Sequence, residues 1–227
     1  MRRRVTYQLI IFVLALLCAG ASKADSFVAG DLGAPYYPFD WWPVEGTNGS
    51  GVGNPPLSAA VPFTPASDFT LSQILVALEF PPFAGGGTNG VAVSLNISDS
   101  GLPGAPLETW NVNVPQGNGL FQLSDTSSVP LAAGTTYWIT AAPLAADTFT
   151  GWNFSDTDFT GIMALNEGSG WFLNEVTNTQ CGFTVCALPA YEVFGTPVST
   201  PEPSSLLLLG TGLLGLIGGS RCLARWR

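Results

Sequence analysis

The chain has 227 residues, 46% of them hydrophobic, with 27 glycines, 18 prolines, no histidine and a formal net charge of −9. All seven basic residues lie near the ends, at Arg2, Arg3, Arg4 and Lys23 and at Arg221, Arg225 and Arg227, whereas all sixteen acidic ones fall between Asp25 and Glu202. The stretch between carries a formal side-chain charge of −16, which excludes nucleic acid as a partner and leaves divalent cations or neutral polysaccharide.

The chain opens with Arg2-Arg3-Arg4, an apolar run from Leu9 to Leu17, and small residues at Ser22 and Ala24. That order predicts a secretory signal peptide, residues 1–24, handed to the secretion translocon and cut after Ala24. Residues 25–198 are enough for one well-cored domain. From Asp25 to Pro65 the segment is rich in glycine, proline and aromatics and includes Trp41-Trp42. Pro35, Pro38, Pro43, Pro55, Pro56, Pro62 and Pro65 break any helix, so short edge strands and long loops are expected there.

From Phe69 the pattern changes to a period of two. Ile74, Val76, Leu78 and Phe80 share one face, with Gln73, Leu75, Ala77 and Glu79 opposite, and Pro81-Pro82 ends the strand. Val91, Val93, Leu95 and Ile97 repeat the device, and Ala92, Ser94, Asn96 and Ser98 are small or polar enough to face water. The run Asp99 to Pro106 is turn chemistry, after which Trp110, Val112 and Val114 share a face. Further strands are predicted at Leu120 to Leu123, Thr135 to Ala142, Thr148 to Phe154, Thr160 to Leu165 and Tyr191 to Gly195. No helix-length 3.6-residue period interrupts them. The expected fold is all-β, a single jelly-roll-like β-sandwich flanked by the signal helix and a C-terminal transmembrane helix.

Chemistry-bearing residues are few. Without histidine, and without lysine in the body, a hydrolase would have to run on carboxylates alone, so the expectation is a protein that is not an enzyme. Asp156 and Asp158, two residues apart, would share a face of a strand and could take calcium with help from Asn153 or Asp147. A plain polar loop is the other reading. Trp41, Trp42 and Trp171 stand in loop-like sequence and are candidates for stacking on sugar rings, while tryptophans as core filling remain the alternative. In an oxidising compartment Cys181 and Cys186 are expected to pair, closing a small loop worth about 2 kcal/mol. Two thiols without histidine would need carboxylates or water to complete a zinc site.

The chain closes with Pro201-Glu202-Pro203, seventeen uncharged residues from Ser204 to Ser220, and the arginine-bearing end. At about 1.5 Å of rise per residue a helix over 204–220 covers roughly 25 Å, near the short limit for a bilayer core of about 30 Å. It therefore reads as a membrane helix with its arginines on the cytoplasmic side. The order of proline-bracketed glutamate, short apolar helix and arginine tail resembles the PEP-CTERM sorting signal of exported bacterial proteins, over residues 199–227. Thr200 stands where many members have valine, and Cys222, Leu223, Ala224 and Trp226 dilute the usual basic cluster.

The resemblance implies an exosortase as partner, with recognition on Pro201, Glu202 and Pro203 and processing near them. It also implies an inner-membrane-anchored precursor bound for the cell envelope or extracellular matrix. Exopolysaccharide is the polymer in which the delivered body is expected to be embedded. The runs Leu71 to Leu78, Val93 to Glu108 and Leu131 to Ile139 are similar to "choice-of-anchor" β-sandwich domains, which carry no established catalytic residues. The expected function is a non-enzymatic surface or matrix protein sorted through its tail. The alternative is an extracellular carbohydrate- or calcium-binding module.

Overall fold

The computed structural model describes residues 24–32, 37–49, 55–81, 88–155, 159–177, 180–181 and 184–198. Among them every regular element is a strand, in chain order β1 (Ser26–Gly30), β2 (Tyr37–Glu45), β3 (Ser58–Phe63), β4 (Phe69–Phe80), β5 (Gly90–Asp99), β6 (Leu102–Asn113), β7 (Gly117–Ser124) and β8 (Pro130–Leu131). There follow β9 (Tyr137–Pro143), β10 (Phe149–Phe154), β11 (Gly161–Asn166), β12 (Trp171–Val176), β13 (Gln180–Cys181), β14 (Thr184–Val185) and β15 (Tyr191–Pro197). The signal segment up to residue 23 and the tail from residue 199 lie outside the described residues, and among those described no helix is long and apolar enough to cross a membrane.

Two sheets form a sandwich-like body. One runs β1-β15-β4-β10-β2, with β7 and β8 also paired to β4, and the other runs β12-β11-β3-β9-β5-β6. β4 is the hub of the first sheet because its twelve residues give it the length to pair with four other strands. Its apolar residues do not follow one unbroken alternation. Phe69 and Leu71 are buried, and so are Ile74, Val76 and Leu78, three residues further on. A shift in register against β15, where Phe194 faces Gln73 and Gly195 faces Leu71, inserts the extra residue that turns both sets inward. From the other sheet Val61, Val93, Leu95, Ile139 and Met163 meet them in one core.

Two expectations need correcting. The segment before Pro65 supplies more than edges and loops: β3 lies inside its sheet, between β11 and β9. Pro62 is tolerated there because β11 pairs only with Ser58, Ala59 and Ala60, so that edge of β3 is open where the proline N–H is missing. The polar side of β5 is also not wet. Asn96 is buried and donates from Nδ2 to Gly104 O at 2.8 Å, while Ser94 Oγ lies 2.6 Å from Thr140 Oγ1. Leu102, Trp138 and Trp171 pack together over that outer face with Ala60 and Ala164. Ile97, at the far end of the apolar side, is exposed instead.

The N-terminal strand is held by close backbone contact. At Gly30 (φ +151°) an added Cβ would stand 2.6 Å from Tyr191 O, so no side chain fits. Next to it Asp31 N donates to Tyr191 O at 2.9 Å, and Tyr191 N donates to Asp31 Oδ1 at 3.2 Å. Burial pushes the Asp31 carboxyl up to about 7, with the charge of Glu192 adding to the rise and the Tyr191 N–H opposing it. Burial also raises Glu45.

A carboxyl whose folded pKa lies above its unfolded value favours the folded state when protonated. Stability is then fully present below the unfolded value of 3.8 and declines as pH rises through about 7. Thermal unfolding should accordingly show a melting temperature that falls between about pH 4 and pH 8, and Asp31→Asn should flatten that fall. Equal slopes for the wild type and the variant would contradict this assignment.

Candidate functional site

The paired tryptophans sit on β2, so alternation sends them to opposite faces of the first sheet. Trp42 packs against the core, donates from Nε1 to Ala187 O at 2.7 Å, and meets the Phe154 ring at a centroid distance of 5.6 Å. Trp41 takes the outer face. Its ring fills the space above Gly151 of β10, where an added Cβ would fall 2.1 Å from Trp41 Cγ, so glycine is required for the indole to lie there.

Gly151 is also opposite Glu79 of β4 in register, which places that carboxylate on the same outer face. Glu79 is only 1% exposed, and its Oε2 accepts from Asn153 Nδ2 at 2.9 Å. The sequence placed Glu79 on the second face of its strand but gave no sign that this face is covered. Nor did it show that Asn153, considered as a calcium ligand, would be committed to Glu79.

The third tryptophan lies elsewhere. Trp171 starts β12 and is half-buried with Trp138 and Leu102 on the outer face of the other sheet. The fold thus separates the three: Trp42 is turned against the core, whereas Trp41 and Trp171 lie half-buried on the outer faces of different sheets.

Asp156 and Asp158 lie outside the described residues. Asp147, their other suggested helper, accepts from Thr88 Oγ1 at 2.8 Å. Among the described residues no three cysteine, aspartate or glutamate side chains are grouped to hold a metal ion. β13 and β14 form a separate two-stranded ladder in which Cys181 is opposite Thr184. Cys186, just beyond it, is buried at 6% exposure in the main core, while the side chain of Cys181 lies outside the described residues.

By contact the chain divides into two compact units, Met1–Pro197 and Val198–Arg227. Pro201, Glu202, Pro203, the helix expected over 204–220, Arg221, Arg225 and Arg227 all fall in the second unit, outside the described residues. No curated protein matches the chain. Residues 199–221 match the PEP-CTERM protein-sorting motif, a span that contains Pro201, Glu202, Pro203 and Arg221. The chain therefore carries a PEP-CTERM sorting signal, the mark of an exported bacterial protein that is anchored in the membrane as a precursor and sorted by an exosortase.

Proposed function

We propose that this protein is a non-enzymatic component of the cell envelope or extracellular matrix, delivered by its tail and released from the membrane when the tail is cut. In this reading residues 1–24 are removed on export and 204–220 span the membrane until processing. The sandwich, jelly-roll-like and of the choice-of-anchor kind, is the passenger, with Cys181 and Cys186 joined in the oxidising compartment. The observation that carries the reading is the sorting motif at 199–221 together with the segregation of charge, because every basic residue sits beside one of the two membrane-targeting segments. Processing near Pro203 would remove the arginines with the helix. What remains is a polyanion without lysine or arginine, soluble and self-repelling among exopolysaccharide.

Fractionation of cells with and without an exosortase tests this. With the enzyme the protein should lose mass and reach the envelope or medium, and Glu202→Ala should keep it as a full-length membrane precursor. Unchanged mass and location in both strains would overturn the proposal.

A second reading, a carbohydrate-binding body, is favoured by one observation, the outward indole of Trp41 seated on Gly151. Binding to a polysaccharide array should then be lost on Trp41→Ala and kept on Trp171→Ala. Absence of binding, or binding indifferent to Trp41, removes this reading.

A further inference from the structure

The body begins and ends at the same place in its first sheet. Among the described residues β1 pairs only with β15, antiparallel, with Ser26 opposite Gly195 and Gly30 opposite Glu192, so the chain enters the sheet beside the point where it leaves. From Pro197, the last residue of β15, only Val198, Ser199 and Thr200 lead to Pro201. The ladder alone holds β1 weakly, because it has five residues and a register shift between Phe27 and Ala29. Chain ends of this kind are where fraying and proteolytic nicking concentrate.

Further contacts fix β1 at both ends. Gly30 and Asp31 secure one end against Tyr191. At the other, Asp25 Oδ1 accepts from Ser72 Oγ at 2.7 Å and from Thr196 Oγ1 at 3.1 Å, and the two hydroxyls lie 3.4 Å apart. One carboxylate oxygen thereby ties the residue before β1 to both β4 and β15. Ser72 is the residue of β4 that has no partner in β15, where Gln73 faces Phe194 and Leu71 faces Gly195. Thr196 follows Gly195, at which an added Cβ would stand 2.9 Å from Thr70 O and 3.2 Å from Val28 Cγ2, so β15 is closely flanked on both sides. Phe27 meets the Phe194 ring edge-on at a centroid distance of 6.2 Å. Without β1, β15 would become an edge strand with its backbone groups open, directly before the tail.

We propose that Asp25 is a clasp between the two ends that processing creates: it holds β1 on β15, so that the sorted body keeps both termini strand-paired and closed to peptidases. The clasp rests on the cut after Ala24 proposed above and on a sorting cut anywhere beyond Pro197. Asp25 itself is exposed, so the clasp governs the local opening of β1 rather than the stability of the whole sandwich.

The full chain, exported by cells and extracted from their membranes in detergent, would be followed in two ways: by hydrogen exchange of β1, and by loss of mass at the N-terminus under proteinase K. Ser72→Ala combined with Thr196→Val removes both donors and leaves the cut site as it is. Exchange in β1 and trimming should each rise roughly tenfold, while β5 exchanges as in the wild type. Asp25→Ala should match that double variant. Asp25→Asn keeps an accepting oxygen and should stay within about twofold of the wild type. An intact mass that does not begin at Asp25 would remove the cut after Ala24, and with it the terminal role of the clasp. Exchange and trimming unchanged by loss of both donors, or a rise shared equally by β5, would overturn the clasp itself.

Discussion

A protein body without a single lysine, arginine or histidine must satisfy every buried acid with neutral donors, protons or ions from solution. Several of the long-range polar contacts in this sandwich follow from that constraint. Glu79 takes the amide of Asn153, Asp31 takes the backbone N–H of Tyr191, and Glu108 takes both donors of Thr126. These contacts lie at the seams of the body. Glu79 joins β4 to β10, Asp31 follows the strand that closes against β15, and Glu108 bridges the two sheets. The elements the fold must hold together are thus joined by acids whose charge it can barely tolerate, which makes the body sensitive to pH.

The sandwich was legible because β5 announces itself: Val91, Val93 and Leu95 are wholly buried, as their alternation requires. The sequence became opaque where alternation changes phase or where a face is covered by something distant. Leu71 and Ile74 both face the core because of an added residue that no period-two reading contains. Pro62 counted only as a helix breaker in a segment of expected edge strands and loops, and its place inside a sheet depends on where β11 stops. Asn96 looked like a solvent-facing residue until the chain around Gly104 and Trp138 closed over it. Each of these depends on pairing between segments far apart in the chain, which local pattern does not encode.

The candidate sites divide in the same way. The sorting tail is a linear signal whose order of residue types is its content, and it was readable from Pro201, Glu202, Pro203 and the arginines. The tryptophans were grouped by sequence context, whereas strand alternation and a glycine at position 151 decide that Trp41 faces outward and Trp42 inward. Glu108 gave no local signal of its burial, since its donor Thr126 comes from a turn that joins two strands of the opposite sheet.

The body and tail are opposite in charge, and under the proposed function the acidic domain is exported behind one basic segment and held by another until sorting. The most direct measurement of that division of labour is to transplant residues 199–227 onto an unrelated secreted domain in cells with an exosortase and to follow its mass and location. The account predicts that the transplanted domain is held at the membrane, shortened and delivered to the envelope or medium as the native chain is. A domain that stays full-length, or that is secreted as though the tail were absent, would contradict it.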